Sequence, residues 1–225
     1  MLRILALHGY FQNDRILYKK TGALRRQALG KMAEMIFVPA PIVVPVPIPE
    51  EGVKEENNED ILDDPENIPL AWFRSNDEGT EYTNFSDTLT YLSGILDSQG
   101  PFDGVMGFSQ GACMAALLTS LLETHREKLP GCQHPSFKFC WLVGGFMARP
   151  QTLQSLYSPK VKTPSLHVFG NLDVVVSPER SEELSSHFEN PRIYRHEGGH
   201  FIPSTAAARK VYVDFLSQFV NLSTL

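Results

Sequence analysis

Five consecutive residues, Gly107-Phe108-Ser109-Gln110-Gly111, are where this chain first suggests covalent chemistry. A serine with glycine two residues to either side suits a sharp turn from a strand into a helix. A side chain at either flank would crowd that turn, and glycine has no Cβ to do so. The neighbouring sequence agrees. Phe102-Asp103-Gly104-Val105-Met106 has the make-up of a short buried strand, and Ala112-Cys113-Met114-Ala115-Ala116-Leu117-Leu118 opens a helix of small and apolar residues. Such a turn presents the Ser109 hydroxyl at a helix N-terminus, where free backbone N–H groups and the helix dipole favour negative charge. That environment suits a tetrahedral oxyanion, so the chemistry indicated is attack by a serine on an acyl carbonyl.

A serine hydroxyl is a weak nucleophile near neutral pH. It needs a base, and the base needs an orienting acid. Of the seven histidines, His200 in Glu197-Gly198-Gly199-His200-Phe201 is the candidate base, because it follows the last strand by a short glycine-bearing loop and a helix starts soon after. His196 is the rival, at the strand end, where local packing or pairing is expected. His8 lies in the first loop and reads as a tie for loop backbone. His125, His134, His167 and His187 carry no flanking signal and read as surface or core residues. For the acid, Asp173 in Gly170-Asn171-Leu172-Asp173 follows the fifth strand directly; the competing reading is an aspartate that stabilises its own turn. The order Ser109, Asp173, His200 is the one described for α/β-hydrolases. The oxyanion would be held by two backbone N–H groups, one from Gln110 and one from the loop Leu7-His8-Gly9-Tyr10-Phe11-Gln12-Asn13, with Tyr10 favoured and Phe11 second.

The elements that must position these groups alternate along the chain. Strands are expected at residues 3–7, 35–38, 103–106, 137–143, 164–169 and 192–196, and helices at 21–32, 84–98, 110–124 and 205–219. This alternation predicts an α/β fold: a mainly parallel sheet of about six strands with helices on both faces and no large lid domain. Ligands then bind outside the carboxyl ends of the strands, where His8, Gly9, Ser109, Gly145, Asp173 and His200 fall. Pro39, Pro41, Pro45, Pro47 and Pro49 rule out a central strand or a helix, since each lacks an N–H. They read as an extended loop leading into an acidic one, together an insertion spanning 39–67.

Bulk composition narrows the class. The 225 residues are 42% hydrophobic, enough for one sizeable core, and a single domain is expected. The formal net charge is −6, but residues 50–66 hold nine acids and one lysine, which leaves the remainder of the chain nearly balanced. No basic patch of the kind that binds nucleic acid is evident. Three cysteines without regular spacing argue against a disulfide scaffold and fit reduced thiols in a cytoplasmic protein, with the nucleus as a second location. The apolar opening is only a strand long and His8-Gly9 ends it, so it does not read as a signal peptide, and no apolar run reaches membrane-spanning length. No ligand-spaced Cys/His cluster and no Walker-type loop is present, so neither a metal nor an organic cofactor is expected.

Taken together, Leu7-His8-Gly9 with Asn13, the run Gly100-Pro101-Phe102-Asp103-Gly104-Val105-Met106-Gly107-Phe108-Ser109-Gln110-Gly111-Ala112, and Gly198-Gly199-His200-Phe201-Ile202-Pro203 resemble the FSH-type serine hydrolases, the fungal family related to the human ovarian-cancer-associated serine hydrolase. Trp72-Phe73 is similar to that family's aromatic pair after a variable insertion. The resemblance runs from residue 5 to 219 and is weakest in the acidic insertion. It implies an α/β-hydrolase fold, esterase activity and Ser109, Asp173 and His200 as the triad.

Tyr10, Phe11, Phe108, Phe146, Trp72 and Phe73 are candidates for an apolar lining, with Tyr10, Phe11 and Phe146 favoured because they follow strands at the carboxyl edge. An apolar lining favours a small-molecule carboxylic ester with a short to medium aliphatic acyl chain over a highly charged substrate. The competing readings are an acyl-thioesterase with the same triad, and a binding protein that retains the fold without turnover. Oligomeric state is not legible.

Overall fold

Central strands buried on both faces need largely apolar residues, and those of this chain have them apart from Arg3, Ser165 and His167. The computed structural model describes residues 1–46, 68–129 and 131–220. The acidic run and most of the 39–67 insertion lie outside the described residues. One six-stranded sheet organises the rest: β1 (Leu2–Leu7), β2 (Ala33–Val38), β7 (Gly104–Phe108), β8 (Phe139–Val143), β9 (Ser165–Gly170) and β10 (Arg192–His196), in the order β10-β9-β8-β7-β1-β2. Every pairing in it is parallel. Between β3 (Ile42–Val43) and β4 (Leu70–Ala71), and between β5 (Arg74–Ser75) and β6 (Tyr82–Thr83), run two short antiparallel ladders.

Alternation along the strands divides the core in two. Leu5, Leu7, Val105, Cys140 and Leu142 face one layer, with Leu92 and Leu96 of α2 (Phe85–Gln99) and the buried length of α3 (Gln110–Thr124). Ile4, Ala6, Met106, Phe108, Phe139, Trp141 and Val143 face the other, with Leu17 of α1 (Asp14–Lys20) and Ala208, Tyr212, Phe215 and Leu216 of α5 (Ala206–Leu216). Helix α3 is apolar nearly all round because it is packed on nearly all sides, from Gln110 to Leu122.

Several boundaries differ from expectation. The helix expected over 21–32 begins earlier, as α1, where Asn13 caps it by accepting from the Ile16 N–H at 2.9 Å. The chain then continues helically through Gly22–Leu24 into a π-helical turn at Arg25–Leu29. The proline-rich segment is not wholly loop: Ile42 and Val43, between two prolines, pair with Ala71 and Leu70. The helix α4 (Pro178–Ser186) has no counterpart among the expected elements. Its apolar face is nearly bare, so periodicity does not reveal it, although Ser177-Pro178-Glu179 is a start signal with proline at the first helical position.

The order of strands has one reversal. From β1 the chain moves outward to β2; from β7 it moves the other way through β8, β9 and β10. The crevice between the carboxyl ends of β1 and β7 is therefore the switch point at which open α/β sheets bind ligands.

Candidate active site

Ser109 stands on that crevice. It caps α3 with φ 54° and ψ −118°, a conformation that costs a non-glycine residue on the order of 1–3 kcal/mol and survives only where its surroundings enforce it. The enforcement is visible. The Ser109 N–H donates to the Val143 carbonyl at 2.8 Å, and its own carbonyl accepts from Ala112 and Cys113. A Cβ on Gly107 would lie 2.2 Å from the Gly111 carbonyl oxygen, and one on Gly111 would lie 2.2 Å from that of Leu7. Both glycines are thus required by close approach of backbone, as the turn demanded.

The loop after β1 meets this turn, held by four side chains. His8 is fully buried; its Nε2 accepts from the Ala40 N–H at 3.0 Å, which leaves Nδ1–H to donate to the Gly9 carbonyl at 2.8 Å. Burial lowers its pKa to about 4, against the weaker opposing pull of the Gly9 carbonyl, so the ring is neutral. Trp72 Nε1 donates to the His8 carbonyl at 2.8 Å, and Gln12 Oε1 accepts from the Gly9 N–H at 3.2 Å. Gln110 clamps from the other side: Oε1 accepts from the Trp72 N–H and Nε2 donates to the Phe73 carbonyl, both at 2.8 Å. The clamp formed by Gln110, Trp72 and Gln12 escapes sequence reasoning, since its partners lie up to 64 residues apart and share no spacing.

Backbone donors sort themselves within this frame. The Phe11 N–H is engaged by the Leu70 carbonyl at 3.0 Å. The N–H groups of Tyr10 and Gln110 have no partner among the described residues. Of the two donors weighed for the first loop, Tyr10 is the one left free.

On the opposite side of the crevice, Asp173 Oδ2 lies 2.6 Å from His200 Nδ1. Its other oxygen, Oδ1, accepts from the Val175 and Val176 N–H groups at 2.9 and 2.8 Å. One oxygen thus holds its own turn while the other contacts the imidazole. Accepting by the carboxylate places the histidine proton on Nδ1 and a lone pair on Nε2. That Nε2 is buried and has no hydrogen-bond partner. Among the described residues no hydrogen bond joins the Ser109 hydroxyl to it.

The imidazole is walled in. Phe108, the residue before Ser109, packs against it with ring centroids 4.9 Å apart. On its other flank Gly144 adopts φ +56°, and a Cβ there would come within 2.8 Å of His200 Cε1. Phe108 is almost wholly buried, so its ring supports His200 and offers a ligand little surface. Tyr10 is half exposed, Phe11 and Phe146 are partly buried, and Trp72 and Phe73 belong to the core. His196 differs in tautomer: its Nδ1 accepts from the Gly198 N–H at 3.2 Å and its ring lies against Phe201, so its Nε2, also buried without a partner among the described residues, carries the proton and offers no lone pair. Cys113, one helical turn after Ser109, is no rival nucleophile: burial pushes its thiol up to about 12.

Comparison with known proteins finds relatives of this chain. A family model described as Serine hydrolase (FSH1) matches residues 1–212. A protein of Xenopus tropicalis named Esterase OVCA2 is 40% identical over 98% of this chain and 94% of its own length. A Schizosaccharomyces pombe protein named Dihydrofolate reductase is 34% identical over 96% of this chain, which spans 47% of that protein. Among solved structures, an acyl-protein thioesterase 2 of Zea mays superposes with a TM-score of 0.66 at 18% identity, covering 96% of this chain and 93% of the other, a likeness of fold alone. Among the described residues no helix is long and apolar enough to cross a membrane.

Proposed function

We infer the reaction from one premise: the chain belongs to the FSH1 serine hydrolase family. Its substrate is then a small-molecule carboxylic ester, cleaved through an acyl-enzyme on Ser109. The esterase name carried by the Xenopus relative, over almost its full length, supports the ester bond over other acyl derivatives. The observation that carries the assignment of residues is the 2.6 Å contact of Asp173 with His200, which leaves the His200 Nε2 lone pair buried and, among the described residues, without a partner.

In this reading His200 Nε2 takes the Ser109 proton as the hydroxyl attacks the acyl carbonyl. Asp173 fixes the tautomer and stabilises the imidazolium. The N–H groups of Tyr10 and Gln110 receive the oxyanion, each contributing about 2.7–4 kcal/mol to lowering the barrier. His200 then returns the proton to the departing alkoxide, and water releases the acyl group by the same steps in reverse. Tyr10, Phe11 and Phe146 supply apolar surface for an aliphatic acyl chain, with Phe108 acting through His200.

A fluorophosphonate probe tests the nucleophile. The folded protein is expected to be labelled and Ser109→Ala to be silent; a folded wild-type chain that stays unlabelled overturns the catalytic reading. A series of p-nitrophenyl esters of increasing chain length, assayed beside acyl-thioesters and peptides, tests the bond. Esters are expected to be turned over best, and a clear preference for thioesters or peptides would replace the assignment.

A further inference from the structure

The loop leaving β8 touches the candidate site three times in succession. Gly144 lies against the His200 imidazole. The Gly145 carbonyl accepts from Ser181 Oγ at 2.8 Å. The Phe146 ring faces the guanidinium of Arg180, whose Cζ is 4.7 Å from the ring centroid. Arg180 is thereby held on the same short loop that flanks the proposed base.

A second arginine approaches from that loop. Arg149 lies over the Gly79 turn, where a Cβ on the glycine would be 2.9 Å from Arg149 Cδ and Nη1. Its backbone N–H donates to Tyr82 Oη at 3.3 Å, and Tyr82 stacks on Phe73 with centroids 3.9 Å apart. The Phe73 carbonyl is the one gripped by Gln110, the residue after Ser109. Both cations are therefore tied by short chains of contacts to the two sides of the crevice.

Among the described residues, Arg149 and Arg180 make no ion pair, and no hydrogen bond from either guanidinium is formed. Elsewhere the fold does satisfy such groups: Arg195 pairs with Glu182 at 2.6 Å, and Arg3 donates to the carbonyls of Pro101 and Gln99. Partial burial of Arg180, and then the nearby charge of Arg149, both lower the Arg180 pKa, so the two cations sense one another. Tyr82, Cys113 and Glu183 face Arg180 and favour its charge without pairing with it. Two cations in contact with the loop of residues 144–149, with planar donor forks unused among the described residues, match a carboxylate in shape and sign.

We propose that Arg149 and Arg180 receive a carboxylate carried by the ester substrate, so that the preferred substrate has an aliphatic body and one acidic end. This rests on the ester-hydrolase reading above and sharpens its substrate class. A terminal charge remains compatible with the apolar surface of Phe146, one face of which the Arg180 guanidinium covers.

Two matched pairs of esters test it. On the acyl side, p-nitrophenyl hydrogen glutarate is compared with p-nitrophenyl pentanoate. On the alcohol side, 4-carboxyphenyl butanoate is compared with its methyl ester. In one pair or the other, wild type is expected to prefer the charged member in kcat/KM. The charged-to-neutral ratio should fall roughly tenfold in Arg149→Gln/Arg180→Gln, about the effect of losing a charge-assisted hydrogen bond. Ratios unchanged in both pairs overturn the proposal while leaving the esterase reading intact. If no ester is cleaved, that reading fails instead, and the anion site is judged by titrating glutarate against the arginine Nε–H signals. A saturable shift of the Arg180 signal supports the site; a shift no larger than sodium chloride produces at equal ionic strength overturns it.

Discussion

Two histidines follow strands of the central sheet, and their loops show opposite uses of one side chain. His8, after β1, has both ring nitrogens engaged by backbone: it accepts from Ala40 and donates to Gly9. His200, after β10, has Nδ1 engaged by a carboxylate and Nε2 buried without a partner. A ring with two satisfied nitrogens ties backbone together, whereas in the proposed mechanism the open acceptor of His200 takes the proton. The same contrast separates the Phe11 N–H, bonded to Leu70, from the Tyr10 N–H, which has no partner among the described residues. The role of a group at this site follows from what its neighbours leave unused.

The sharpest break of the comparison is to exchange the outcomes of removing each ring. His200→Ala is expected to lower kcat/KM on the order of 10⁴-fold or more with little change in urea midpoint, measured with a short-chain p-nitrophenyl ester. Equal losses from His196→Ala would assign the base wrongly.

Asp173→Asn comes next, at about 10⁴-fold in kcat, because an amide no longer fixes the histidine tautomer. Its Oδ1 can still accept from Val175 and Val176, so the melting temperature should hold. Asp173→Ala removes both oxygens and should cost in addition about 1–3 kcal/mol of stability, read by chemical denaturation. Identical stabilities for the two variants would mean that the turn does not depend on Oδ1.

His8→Phe inverts the pattern. The Ala40 N–H is left buried without an acceptor, which should destabilise the fold by about 1–3 kcal/mol. Activity should fall far less than in His200→Ala, through slackening of the Tyr10 loop. A stable but inactive His8→Phe protein would mean that His8 takes part in the chemistry.

The smallest effect is in pH. The folded-state pKa of His8, about 4, lies below the ordinary 6.5. The unfolded chain therefore binds the proton more readily, and folding stability is full above pH 6.5. It is lost as pH falls toward 4, by up to about 3 kcal/mol from this one group. His167, lowered by burial to about 3, acts in the same direction. Stability measured from pH 7 to 4 should thus decline less steeply in His8→Phe than in wild type, and parallel slopes would remove His8 from the acid response.

Features whose cause is local were legible in the order of residues. The glycines beside Ser109 announced a turn that tolerates no Cβ, and alternation of apolar runs announced the parallel sheet. Helix α4 was hidden because an element with little apolar face leaves no periodic trace, and the two-residue ladder at Ile42 and Val43 is too short to leave one. The chain order of Ser109, Asp173 and His200 is likewise a property of sequence.

What tertiary structure alone decided is where each polar group finds its partner. Sequence could weigh Tyr10 against Phe11, but the Leu70 carbonyl, brought from 59 residues away, engages one and leaves the other. Sequence offered two uses for Asp173, and folding assigned one oxygen to each. Periodicity records which face of an element is dry. Hydrogen bonds between distant loops have no period, so only the folded chain determines which donors and acceptors remain free.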